Sequence, residues 1–197
     1  QYGLDQVRYF LLREVPFGQD GYISHESVVG RINSDLANDL GNLAQRVLSM
    51  VSKNCDGKIP TPGAFDADDL ALLGQAQGLL AAVRALVDRQ GFNHALEAIW
   101  VVIRAANGYV DRQAPWKLKK EDPARMATVL YVLAEVIRHL AVLAQPVMPD
   151  TMAKMLDQLA IPADARTFAA LGEGGALVPG TAVPAPEGVF PRFVEEE

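Results

Sequence analysis

From Val28 onward the apolar positions return with a helical period. Val28, Ile32, Leu36, Leu40, Leu43, Val47 and Val51 follow one another at steps of four, four, four, three, four and four, which is one buried stripe on a long α-helix. Ser24 stands where an N-cap is needed, so the spacing predicts a helix over about 25 to 53. Before it, "GLDQVRYFLLREV" places Leu4, Val7, Leu11 and Val15 on one stripe with Phe10 beside it, and "PFGQDG" ends that first short helix. After the break "CDGKIPTPGAF", Asp66 caps a helix to about Arg89, and Gly91 permits a tight turn. The next helix, about 92 to 112, buries Phe92, Leu96, Ile99, Ile103, Ala106 and Val110. Asp122 as N-cap and Pro123 at the first helical position open the following one, to about 145, with the stripe Met126, Val129, Leu133, Ile137, Leu140 and Ala144. "QPVMP" stops it, and Pro149 starts a short sixth helix to about Leu159.

Short connections between long amphipathic helices favour antiparallel neighbours. The expected fold is therefore all-α: an up-and-down helical bundle built from the four long helices. From Pro162 the chain carries five prolines and five glycines in 36 residues, which predicts an extended tail without periodicity of its own. "GEGGALVPG" within it neither follows a strand nor opens a helix, so it is a loop and not a phosphate cradle.

Composition narrows the class. Half of the 197 residues are hydrophobic, 21% are charged and 7% aromatic, the profile of a helical globular chain. No apolar run in the sequence reaches the roughly 18 to 20 residues of a bilayer span, and no secretory signal is visible, so the expectation is a cytoplasmic protein with no membrane partner. Cys55 is alone and its thiol is a bystander. His25, His94 and His139 have no partner at metal-ligand spacing, so each is expected at the surface or the core edge, and no metal site is predicted. Trp100 lies at the flank of a buried stripe and is expected in the core. The chain opens at Gln1 directly in a helical pattern, which predicts further residues upstream.

One stretch resists this reading. "DRQAPWKLKK", residues 111 to 120, places Trp116 after Pro115 in a charged break where a helix should stop. In an up-and-down bundle that break shares an end with the last turns of the 25–53 helix, where Arg46 sits roughly 10 Å and Asn42 roughly 16 Å before the terminus at 1.5 Å per residue. Asn42 and Arg46 stand four apart and project from one face beside the apolar stripe. An aromatic ring with an amide and a guanidinium suits splayed bases of single-stranded RNA, the ring for stacking and the polar groups for base edges. Lys117, Lys119 and Lys120 add candidate phosphate contacts. Each residue also has a plainer explanation. Exposed polar side chains are commonly just solvated, and a Trp after Pro commonly caps a bundle end. A net charge of −6 gives no general affinity for phosphates, so any RNA binding must be local.

The blocks "GLDQVRYFLLREV", "DGYISHESVVGRINSDLANDLGNLAQR", "ANGYVDRQAPWKLKK" and "LAQPVMPDTMAKML", in this order and spacing, closely resemble the carboxyl-terminal part of bacterial methionyl-tRNA synthetases over residues 2 to about 160. The resemblance implies three parts: the end of the stem-contact region at 1–23, a helical anticodon-binding domain at 24–160, and an extended tail at 161–197 that folds back toward the catalytic domain. It also implies that Asn42, Arg46, Pro115 and Trp116 read the CAU anticodon, and that the partners are methionine tRNA, initiator and elongator, and an N-terminal catalytic domain. The HIGH-type and KMSKS-type signatures and the cysteine knuckle of that catalytic half are not in the sequence. These residues alone are therefore expected to bind no cofactor and to catalyse no aminoacylation, with ATP, and zinc as a further candidate, belonging to the catalytic domain. Two other readings stay open on the residues themselves: the equivalent bundle of another class I synthetase, such as those for valine, isoleucine, leucine or cysteine, and a helical scaffold that binds proteins through an apolar face.

Overall fold

The computed structural model describes residues 2–172 and 174–194; Gln1, Glu173 and 195–197, which the expected domain boundaries also include, lie outside the described residues. The chain runs through α1 (Leu4–Glu14), α2 (His25–Arg31), a π-helical segment (Ile32–Gly41), α3 (Asn42–Asn54), α4 (Ala67–Val87), α5 (Phe92–Gln113), α6 (Pro115–Glu121), α7 (Pro123–Ala144) and α8 (Pro149–Gln158). Two 3-10 turns, Ala163–Ala165 and Phe168–Leu171, follow in the tail. The bundle is all-helical, as expected. Among the described residues the only bridge of β type pairs Lys58 with Ala182.

Local signals set most of the starts. The Ser24 hydroxyl accepts from the Ser27 amide, and Asp66 accepts from the Asp69 amide; in both, the side chain three residues on returns a bond to the cap. Asp122 caps α7 through the Arg125 amide, with Pro123 behind it. In the tight turn at the end of α4 the left-handed residue is Gln90, and Gly91 follows at φ −83°. Gly91 is there for space: a Cβ on it would lie 3.2 Å from the Leu86 carbonyl oxygen, which accepts the Gly91 amide at 2.9 Å.

The stripe from Val28 to Val51 is buried throughout. Its three opening steps of four are wider than the 3.6 residues of an α-turn, and the helix takes them up by winding as a π-helix between Ile32 and Gly41. Side chains of α5 bond carbonyls inside this segment: Trp100 Nε1 donates to the Asp35 oxygen at 3.3 Å, and Asn107 Nδ2 to the Asp39 oxygen at 3.1 Å. Trp100 is core, as expected, at 1% exposure.

Two expectations about buried faces are corrected. In α1 the buried residues are Asp5, Tyr9 and Phe10, while Leu4 and Leu11 remain 67% and 46% exposed. Polar tertiary bonds choose the face: Asp5 Oδ2 accepts the Thr151 amide at 2.6 Å and so caps the start of α8, and the Tyr9 hydroxyl donates to buried Asp35 at 2.7 Å. In α7 the expected stripe is buried, but so is every residue from Thr128 to Ala144. This corrects the placing of His139 at the surface or core edge, although His25 and His94 are exposed. It also corrects the reading that no apolar stretch is long enough for a bilayer: α4 and α7 both are, by length and composition alone. For α7 that hydropathy belongs to the core, since 94% of its most apolar window is buried. In α4 one side, with Leu72, Ala76 and Leu79, is buried, and the exposed remainder is rich in Ala and Gly.

The tail covers the outer side of α7. Arg138 bonds Glu135 through two nitrogens, at 3.0 and 2.5 Å, and gives its third donor to the Ala170 oxygen at 2.8 Å; Glu135 accepts the Leu177 amide at 3.0 Å. At the α6 end of the bundle, Asp69 lies fully buried and accepts from the Tyr109 hydroxyl and from both terminal nitrogens of Arg125. Burial works against its charge, but these bonds outweigh burial and hold its carboxyl below the usual carboxylate range.

Removing Arg125 leaves that carboxylate buried without its counter-charge, with only the Tyr109 hydroxyl and the Asp66 amide still donating to it. Arg125→Met is expected to cost about 3–5 kcal/mol in urea unfolding, whereas Arg112→Met, which breaks only an exposed 3.9 Å pair with Asp68, should cost less than about 1 kcal/mol. Similar losses for the two would contradict this account of the clasp. Burial likewise pushes the His139 pKa below its ordinary 6.5. Above that value the imidazole is neutral in both states and folding stability is independent of it. As pH falls below it the unfolded chain takes up the proton first, so stability should decline until the folded value is passed. Denaturant titrations at several pH values should show this slope in the parent and lose it in His139→Gln.

Candidate nucleic-acid interface

The helix before Trp116 ends at a strained residue. Ala114 takes φ 44° and ψ 59°, left-handed for a residue with a Cβ, at a position where the following proline disfavours the right-handed conformation that would continue α5. The Ala114 amide still bonds the Val110 oxygen at 2.9 Å, closing α5. Pro115 is buried and begins α6 with its φ already helical. The expected break is thus a one-residue hinge followed by a seven-residue helix. Trp116 is the second residue of that helix and stands 46% exposed.

Arg46 and Trp116 meet across the gap between α3 and α6. The Arg46 guanidinium carbon lies 5.5 Å from the ring centroid, and its Nη2 donates to Asp111 Oδ1 at 2.7 Å. The cation is therefore held between an aromatic face and a carboxylate at the end of α5. Between Trp116, Arg46 and the core side chains Val47, Met50, Val110 and Pro115 only about 20 Å³ is free. A base can therefore reach this surface only from the solvent side.

Asn42 is the first residue of α3, one turn before Arg46. It is exposed, and its side chain has no hydrogen bond among the described residues. It opens on a neighbouring cleft of about 440 Å³ between the helix and the tail, which Asn38, Gln45 and Arg192 also line. Arg192 is fixed there by a 2.6 Å bond to Asn38 Oδ1. Lys119 and Lys120 stand three and four residues beyond Trp116 on α6 and share its face; Lys117 lies on the adjoining face. All three lysines are exposed. The structure thus brings together Arg46, Pro115 and Trp116, sets the lysines beside them, and turns Asn42 toward the adjoining cleft.

Sequence reasoning missed Asp111, although it belongs to the stretch that drew attention to Trp116. Its link to Arg46 crosses 65 positions, and no periodicity reports such a contact. Cys55 is half-buried, and burial together with Asp56 pushes its thiol pKa up, away from nucleophilic use. Among the described residues no three His, Cys, Asp or Glu side chains are gathered where they could hold a metal ion.

The all-helical bundle is of the kind found in class I tRNA synthetases, and residues 1–48 match the family described as tRNA synthetases class I (M). Residues 59–197 match the anticodon binding domain of methionyl tRNA ligase, and the chain belongs to that family. It is 56% identical over its whole length to the methionine–tRNA ligase of Brucella suis, and 57% identical over 97% of its length to that of Mycobacterium tuberculosis. It spans 38% and 37% of those two proteins. The crystal structure of free Mycobacterium tuberculosis methionyl-tRNA synthetase superposes with a TM-score of 0.96 at 56% identity, over 99% of this chain and 40% of that one. The same enzyme bound by methionyl-adenylate superposes at 0.94.

The Arg46, Asp111 and Trp116 cluster is too exposed to hold the fold together; the two charged side chains are 32% and 66% accessible. A double-mutant cycle of Arg46→Ala and Asp111→Ala, read by urea unfolding, is expected to give a coupling below about 1 kcal/mol. A coupling well above that would make the cluster a structural clasp.

Proposed function

We propose that this chain reads the CAU anticodon of methionine tRNAs, initiator and elongator, for a methionyl-tRNA synthetase whose remaining part activates methionine with ATP. The observation that carries the reading is the Arg46 guanidinium held over the half-exposed Trp116 ring at one end of the bundle. Trp116 supplies a π-face for an anticodon base, and Pro115 fixes the direction in which the ring leaves the core. Arg46 and Asn42 reach base edges, where a guanidinium donates and an amide both donates and accepts. Lys119 and Lys120, with Lys117 beside them, meet phosphates.

Residues 1–23 belong to the stem-contact region, 24–160 to the anticodon-binding domain and 161–197 to the returning tail. Leu4, Leu11, Phe17, Tyr22 and Ile23 leave apolar surface uncovered in and after α1, and this surface is where the catalytic domain packs. ATP belongs to that domain, as does zinc in members that carry it, and the assembled enzyme works in the cytoplasm.

Binding of a CAU stem-loop tests the reading. Stacking on an aromatic is worth about 1–3 kcal/mol per base, so Trp116→Ala is expected to weaken binding roughly tenfold or more. That loss should persist at high salt, whereas a smaller loss in Lys119→Ala should shrink as salt rises. Asn42→Ala and Arg46→Ala should bring the affinities for CAU and for a loop altered at its first anticodon base closer together. Parent-like binding by Trp116→Ala would leave the ring a cap on the bundle end. Tighter binding of another class I synthetase's anticodon loop than of CAU would reassign the domain.

A further inference from the structure

At the far end of α5, about 30 Å from the α6 hinge at 1.5 Å per residue, an apolar pocket of about 320 Å³ opens between α1, α4, α5, the end of α7 with the turn after it, and the tail. Leu80 and Val83 of α4, Phe92, Leu96 and Ile99 of α5, and Phe168 of the tail form its walls. Only two charged side chains line it, Arg84 and Asp88. They stand four apart on one face of α4 and its C-cap, a spacing at which opposite charges ordinarily pair. Among the described residues neither forms an ion pair, with the other or with any other group. The Arg84 guanidinium instead lies 5.9 Å from the Phe168 ring centroid, and its side-chain N–H groups make no hydrogen bond among the described residues.

We propose that this pocket binds a free α-amino acid with an apolar side chain. The side chain enters the cavity, the carboxylate meets Arg84 and the ammonium meets Asp88. The fit follows from the charges. A plain hydrocarbon leaves both unused, the interior of a peptide has no ammonium next to a carboxylate, and a nucleotide places phosphate against apolar walls. The volume lies at the low end of the roughly 300–1,000 Å³ of small-molecule sites, which suits a ligand with one ring or one branched chain. Both charges sit at the solvent edge, where ion pairs contribute little, so most of the affinity comes from burying the side chain. A dissociation constant of about 0.1–10 mM is the expected range.

The probe is L-phenylalanine, titrated into the full chain and followed by amide NMR. Saturable shifts are expected around Val83, Leu96 and Phe168. Glycine should give none at the same concentrations, and N-acetyl-L-phenylalaninamide, which keeps the ring but has neither charge, should bind at least about fivefold more weakly. Arg84→Gln and Asp88→Asn, both at exposed positions, should each weaken phenylalanine severalfold. Val83→Trp should fill the cavity and abolish binding, with a thermal melt confirming that it folds; if it does not fold, the two charge variants decide. No saturation by about 20 mM, equal binding of the neutral analogue, or parent-like binding in the folded Val83→Trp variant would each overturn the proposal. The pocket lies away from Trp116, so neither result bears on the RNA reading.

Discussion

The constraint on which the structure depends is the burial of α7 on every side from Thr128 to Ala144. A helix that is apolar on every side must be covered on every side, and here α3, α4, α5, α8 and the tail provide that cover. The helix also carries Glu135, Arg138 and His139 into the interior, where unpaired polar groups are costly. Their partners are in part backbone groups of the tail, the Ala170 oxygen and the Leu177 amide. The tail is thus a structural wall of the domain, although its sequence has the composition of a linker. At the first turn of the same helix Arg125 binds Asp69 of α4, which also accepts Tyr109 of α5. That clasp ties three helices together at the end of the bundle where the chain turns into α6.

The candidate interface follows from this frame. With α4, α5 and α7 fixed, α6 has only a short path between the end of α5 and the start of α7, and it takes that path through the left-handed turn at Ala114. Burying Pro115 anchors the new helix on its inner side and leaves the next residue, Trp116, outside. Arg46, arriving on α3 from the same direction, is then held over the ring by Asp111. In the proposed function, a platform whose cation is already placed loses little freedom when a base arrives.

Features fixed by neighbours in sequence were legible there. The caps Ser24, Asp66 and Asp122 act within three residues of themselves, and the stripe from Val28 to Val51 is a local period. Helix direction alone placed Arg46 and Trp116 at one end. Features fixed by distant partners were not legible. Leu4 and Leu11 read as a buried stripe because nothing near Asp5 says that it caps a helix beginning at Pro149. His139 read as peripheral because the tail that covers α7 has no pattern of its own. The π-helical winding did leave a trace, in the steps of four before Leu40, but the same steps are also compatible with a drifting α-helical stripe. Asp111 read as one charge among many because its role is a bond across 65 positions.

The central claim is that Trp116 stacks with an anticodon base while Arg46 lies beside it. The most direct measurement uses a CAU stem-loop with 2-aminopurine in place of the middle anticodon base, bound to Trp100→Phe protein so that Trp116 is the only tryptophan. Stacking on the ring should quench the 2-aminopurine emission saturably, and Trp116→Leu in the same background should not. Emission unchanged at saturating protein, or equally quenched with Trp116→Leu, would contradict the account.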